Sequence, residues 1–85
     1  MTQEHTPLLQ AVCGRILQLC GQRGLTINAL ATLSGLSPSS LKNILYGKSR
    51  SPGIVTLKML CDGLGVTLKE FFDTPEFEAL EQELK

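Results

Sequence analysis

At three expected helix starts a threonine or serine directly follows a large aliphatic residue and stands four positions ahead of another large apolar one: Leu25, Thr26 and Leu30; Leu36, Ser37 and Leu41; Val66, Thr67 and Phe71. Each set has the register of a hydrophobic staple. The hydroxyl caps the first amides of a helix, and the residue before it packs on the fourth residue inside. Thr67 is followed three residues later by Glu70, which makes a capping box, and Pro38 takes the first helical position after Ser37, where a missing N–H costs nothing. A chain that starts helices this often folds into short helices joined by tight turns.

Apolar spacing supplies the rest. Leu8, Leu9, Val12, Cys13, Ile16, Leu17 and Cys20 recur at i, i+3, i+4, i+7 and i+8, predicting a first helix over about 7–21 with one broad apolar face, ended by Gly21 and Gly24. Helices follow over about 26–34 and 37–46, with the turn between them at Gly35. Ile54, Leu57, Leu60, Cys61 and Leu64 mark a fourth helix closed by Gly65, and 67–72 is a fifth. No stretch alternates with period two long enough for a strand. In the tail, Thr74 caps a sixth helix with Pro75 at its first position and acidic residues in its first turn, where the helix dipole favours them. Its apolar stripe is Phe77, Leu80 and Leu84, which packs back on the domain or meets a second copy, a frayed tail being the third alternative. The expected class is all-α, as one helical domain over 7–73 and an acidic amphipathic helix over 74–85.

Charge is unevenly distributed. Between Glu4 and Asp62 there is no Asp or Glu, whereas Arg15, Arg23, Lys42, Lys48, Arg50 and Lys58 all lie there. Residues 1–73 carry net +3 and the last twelve net −3, so the overall neutrality conceals a basic domain with an acidic tail. A one-signed surface on two short helices joined by a glycine turn points to a polyanion as partner.

Other functions find little support. Three cysteines, Cys13, Cys20 and Cys61, are an odd number without CxxC spacing and read as buried reduced thiols. His5 is the only histidine and has no carboxylate or cysteine constellation near it, so neither catalysis nor a metal is expected, and no cofactor. The apolar runs are far shorter than the roughly 20 residues that cross a bilayer, and no apolar leader opens the chain, so a cytoplasmic protein without membrane contact is expected.

The run LTINALATLSGLSPSSLKNILYGKSRSP, with Leu30 and Ala31, Gly35 and Leu36, Leu41 and Ile44, Gly47 and Pro52 at the key places, resembles the phage-repressor and Cro-like family of helix-turn-helix regulators. LKMLCDGLGVTLKEFF resembles that family's closing pattern, and the likeness covers about 16–72. It implies a compact five-helix lambda-repressor-like bundle whose second and third helices form the motif, here with the short C-terminal sixth helix added. It also makes the third helix the one that enters the major groove. Two positions depart from the family. A glutamine that often opens the second helix and reaches a phosphate is Ile27 here, and an acidic residue near the end of the third helix is replaced by Leu45 and Tyr46, which removes an anion from the DNA side.

At 100° per residue, a third helix buried through Leu41, Ile44 and Leu45 turns Ser39, Asn43 and Tyr46 outward, with Lys42 beside them. These four are the candidate base contacts: Asn43 for adenine, Lys42 for guanine or a phosphate, Ser39 for either base type. Candidate phosphate contacts are Thr26 and Asn28 at the start of the second helix, Ser37 and Ser40 at the start of the third, and Lys48 and Arg50 in the GKSRSP loop. Arg15, Arg23 and Lys58 are weaker candidates. The expected function is a sequence-specific DNA-binding regulator, a repressor, reading double-stranded DNA as a homodimer, because one half-site offers too little discrimination. A reading of another class is a helical interaction module, antitoxin-like, whose acidic tail binds a partner protein.

Overall fold

In the computed structural model, which describes residues 6–47 and 52–81, six helices follow one another: α1 (Pro7–Arg23), α2 (Ile27–Ser34), α3 (Pro38–Tyr46), α4 (Ile54–Leu64), α5 (Leu68–Phe72) and α6 (Pro75–Glu78). The described residues contain no strand.

Three of the turns are one device. Gly24, Gly35 and Gly65 sit at φ of 65°, 75° and 74°, the left-handed conformation that L side chains avoid. The next residue in each case sends its N–H five residues back into the ending helix: Leu25 to the Cys20 carbonyl at 2.9 Å, Leu36 to Ala31 at 2.9 Å, and Val66 to Cys61 at 3.0 Å. These are Schellman closures. The residue after that caps the next helix, Thr26 accepting the Ala29 N–H, Ser37 that of Ser40, and Thr67 that of Glu70. Leu25, Leu36 and Val66 thus close one helix and staple the next, while Leu30, Leu41 and Phe71 lie fully buried beneath them. At α5 the capping box is complete: the Glu70 carboxylate accepts the Thr67 N–H at 2.9 Å. Those bonds from Thr67, its backbone first and then its hydroxyl, hold the Glu70 carboxyl below its ordinary value. What the box adds to stability is therefore present above the ordinary Glu range and fades as pH falls through the lowered value.

The core is continuous. Leu9, Val12, Cys13, Ile16, Leu19 and Cys20 of α1 meet Leu30 and Ala31 of α2, Leu41 and Leu45 of α3, Leu60, Cys61 and Leu64 of α4, and Phe71 of α5. Two expectations shift. Helix α1 runs through Gly21 to Arg23, because Gly24, not Gly21, takes the left-handed closure. Its buried stripe is also rotated: Leu19 is inside, while Leu8 and Leu17 remain partly exposed on the flanks. The three thiols are free and buried, as expected, and burial raises the pKa of each, so they stay neutral.

The sixth helix is shorter than the stripe suggested. It ends at Glu78, so Leu80 lies beyond it, and Leu84 lies outside the described residues. Phe77 packs its ring on Phe71 and Phe72, at centroid separations of 6.1 and 4.8 Å, and α6 rests against α1. Helix α6 therefore folds back onto the first and fifth helices. A helix this short persists only where tertiary contact supports it, and that contact is Phe77.

Helix α2 lies along α4 at close range. They come close at Gly63, where an added Cβ would stand 2.2 Å from Ser34 Oγ, 3.2 Å from the Ser34 backbone nitrogen and 3.2 Å from Leu30 Cδ1. Ser34 is the one buried polar residue among those described, and its hydroxyl has no hydrogen-bond partner there. Gly63→Ala should push α2 and α4 apart and lower stability by about 1–3 kcal/mol despite alanine's better helix propensity. Ser34→Ala should be neutral or stabilising, since it removes an unpaired buried hydroxyl. In the double variant Ser34→Ala should recover part of the loss. Thermal melts of the three variants check this; an undisturbed melt for Gly63→Ala would show that the helices are not held this close.

Candidate nucleic-acid interface

Helix α3 is positioned through one face. Leu41 and Leu45 are buried, Ile44 is half-buried, and the Cys13 thiol of α1 donates to the Ile44 carbonyl at 3.4 Å. With that face committed, Ser39, Lys42, Asn43 and Tyr46 are all exposed, which is the division the helical wheel predicts. Tyr46 leaves 63% of its surface to solvent, so its ring stands out from the helix and is not folded onto the domain.

The candidate phosphate contacts group at two helix starts. Thr26 and Asn28 are exposed at the start of α2, and Ser37 and Ser40 at the start of α3. The Thr26 hydroxyl accepts the Ala29 N–H at 3.0 Å and keeps its own proton for an outside acceptor. Ser37 Oγ accepts the Ser40 N–H at 3.1 Å and donates its own proton to the Ser40 hydroxyl oxygen at 2.8 Å, and Ser39 Oγ stands 3.3 Å away. These serines form a polar cluster on the first turn of α3, beside amides that the helix leaves unpaired. Lys48 and Arg50 lie outside the described residues.

Two of the weaker cationic candidates have structural partners. The Arg15 guanidinium donates from Nε to the Phe71 carbonyl at 2.8 Å, from one terminal nitrogen to the Glu70 carbonyl at 2.7 Å, and from the other to the Gln18 side chain at 2.8 Å. It caps the C-terminal end of α5 from a position more than fifty residues away, and no local sequence pattern could have announced that. Lys58 is paired with Asp62 one turn along α4. Arg23 is exposed in the last turn of α1. The described residues contain no cluster of His, Cys, Asp or Glu fit to hold a metal, and no helix among them is long and apolar enough to cross a membrane.

The model of the Cro/C1-type helix-turn-helix DNA-binding domain matches residues 15–76, from the middle of α1 through the start of α6. The chain belongs to that family. It is 40% identical over 62 residues to the HTH-type transcriptional regulator PuuR of Escherichia coli (strain K12), an alignment covering 73% of this chain and 33% of PuuR. The chain thus spans about a third of that relative's length. Among solved structures it is similar to the prophage Lp1 protein 11, with 32% identity and a TM-score of 0.75 over 94% of this chain and all of the other. It is also similar to a variant of the restriction-modification controller protein C.Esp1396I bound to its highest affinity operator site, with 28% identity and a TM-score of 0.72 over 79% of this chain and 87% of that one. The family fixes α2 and α3 as the helix-turn-helix, and the fold is the all-α bundle that the sequence implied.

If Arg15 serves α5, Arg15→Ala should lower stability by about 1–2 kcal/mol by removing two charge-assisted bonds. The salt dependence of DNA binding should stay as it was. A salt slope that falls by about one unit with an unchanged melt would make Arg15 a phosphate contact instead.

Proposed function

We propose that this chain is a transcriptional regulator, acting as a repressor, that reads an operator in the major groove with α3 and does so as a homodimer. The observation that carries the reading is the outer face of α3. Ser39, Lys42, Asn43 and Tyr46 project together from the second helix of a helix-turn-helix, over residues 6–61 that contain no acidic group. Asn43 can pair bidentately with adenine, Lys42 with guanine O6 and N7, and Ser39 with either base type, while Tyr46 supplies a hydroxyl at the end of an apolar ring. Thr26, Asn28, Ser37 and Ser40 would set register on the phosphates through hydroxyls, amide side chain and helix-start N–H groups, with Lys48 and Arg50 adding charge. The names of two similar proteins point the same way, PuuR being a transcriptional regulator and C.Esp1396I having been seen on its operator. Homodimerisation follows from the arithmetic of readout: two copies about 34 Å apart double the specific free energy that three or four side chains can supply.

The alternative, a tail that captures a partner protein, is weakened by Phe77. Its ring is spent on Phe71 and Phe72, so the main apolar residue of the acidic segment's stripe is not free to meet a partner.

Asn43→Ala and Lys42→Ala should each weaken operator binding by about 1–3 kcal/mol and relax preference at particular base positions, measured by titrating operator and random duplex side by side. Equal losses on both duplexes would turn them into phosphate contacts, and no loss would remove α3 as the reading helix. Lys48→Ala combined with Arg50→Ala should reduce affinity about equally for all sequences and lower the salt slope by roughly one unit for each phosphate no longer neutralised. An unchanged slope would place the phosphate surface elsewhere.

A further inference from the structure

The first turn of α3 brings three hydroxyls together, and counting protons gives the direction in which they are bonded. Each serine hydroxyl holds one proton and two lone pairs. Ser37 Oγ gives its proton to Ser40 Oγ at 2.8 Å and accepts the Ser40 N–H at 3.1 Å. Ser39 Oγ lies 3.3 Å from the same Ser37 oxygen. Ser37 has no second proton, so Ser39 is the donor in that contact. A directed chain results, from Ser39 to Ser37 to Ser40, with the Ser40 proton left over at its end.

The two ends of this chain meet solvent with opposite character. Ser39, exposed at the second position of α3, has turned its proton inward and offers an outside group only lone pairs. Ser40, also exposed, keeps a proton to donate. Ser37 between them has used its proton and both lone pairs, so a phosphate at this turn meets the Ser40 hydroxyl and the helix-start amides. Pro38, the remaining residue of the turn, has neither an N–H nor a polar side-chain atom.

That direction decides which base edge suits Ser39. In the major groove adenine N6 and cytosine N4 are donors, whereas guanine and thymine present no donor there. An amino group donating to Ser39 leaves the chain intact, and each bond polarises the next in the same sense. To meet guanine O6 or thymine O4, Ser39 has to turn its proton outward. This breaks its bond to Ser37 and sets two lone pairs against each other 3.3 Å apart, because the Ser37 proton stays on the shorter bond to Ser40. A phosphate oxygen that accepts the Ser40 proton holds the chain in the same direction, so backbone docking and base choice reinforce each other.

We infer that Ser39 is an acceptor-only reader of an exocyclic amino group, selecting adenine or cytosine over guanine or thymine on the strand it touches, with its polarity set by Ser37 and Ser40. This rests on the reading of DNA through α3 and narrows it, since the sequence leaves Ser39 open to either base type.

The probe is a pool of duplexes with a randomised core, from which the unmodified chain and Ser39→Ala each select sites. The base pair whose preference disappears in the variant is the one Ser39 reads. Alanine is the better helix former at an exposed helical position, so the fold is not at risk. That pair is then altered one group at a time. Purine for adenine or 2-pyrimidinone for cytosine removes the amino group; 7-deaza analogues remove purine N7, 2-aminopurine for guanine removes O6, and 5-methyl-2-pyrimidinone for thymine removes O4. Loss of the amino group should weaken binding of the unmodified chain by about 3- to 10-fold, the share of one hydrogen bond, and leave Ser39→Ala unaffected. Loss of an acceptor should affect both proteins alike. Ser40→Ala returns the Ser37 proton and lets Ser39 turn, so exchanging A·T for G·C at that pair, or the reverse, should cost this variant distinctly less than it costs the unmodified chain. No pair that depends on Ser39, an acceptor whose loss Ser39→Ala alone fails to feel, or an undiminished preference in Ser40→Ala overturns the assignment and leaves DNA binding standing. A chain that enriches no sequence from the pool loses the reading of DNA by α3, and the base assignment with it.

Discussion

The structure depends on a joint three residues long: a left-handed glycine, an aliphatic residue and a hydroxyl residue. Gly24–Leu25–Thr26, Gly35–Leu36–Ser37 and Gly65–Val66–Thr67 each close one helix and open the next with no residue to spare. The backbone groups that a helix end leaves unpaired are satisfied inside the joint, carbonyls by the Schellman bonds and amides by the cap. The aliphatic residue, tied to both helices, is drawn towards the core. The angle between successive helices is thereby set locally, and a short chain with limited burial does not have to fix it by packing alone.

The middle joint sets the orientation of α3, the helix proposed to read DNA. The glycine turn and the Ser37 cap set where α3 leaves α2, and burial of Leu41 and Leu45 sets its rotation. Those two constraints leave Ser39, Lys42, Asn43 and Tyr46 facing water. Rigidity of the platform comes from outside the motif. Gly63 lets α4 approach Ser34 of α2, the Cys13 thiol reaches the Ile44 carbonyl, and Arg15 holds the end of α5 to α1. For the proposed reading of base edges by α3, side chains have to be held within hydrogen-bonding tolerance, and a stiff support would serve that recognition.

Cationic side chains are divided between two tasks that look alike in a sequence. Lys42 is exposed on α3, whereas Arg15 is bonded to α5 and Lys58 to Asp62. The basic character of the 5–61 interval is a property of composition, but how much of it reaches a ligand depends on which cations the fold has already engaged.

The helix starts, the three joints and the outward face of α3 were legible in the sequence, because caps, staples and left-handed glycines act between residues a few positions apart, and because a 3.6-residue period needs only one helix to be read. Residues such as Thr26, Ser37, Thr67 and Asn43 therefore stand where local rules put them. What tertiary structure decided involves partners distant along the chain. Arg15 meets carbonyls 55 and 56 positions away, Ser34 is covered by Gly63, Phe77 turns inward onto Phe71 and Phe72, and Ile54 is left outside although its spacing matches the buried stripe. Periodicity tells which residues share a helix face; whether another element arrives to cover the whole length of that face depends on how the helices cross, and no single helix encodes that.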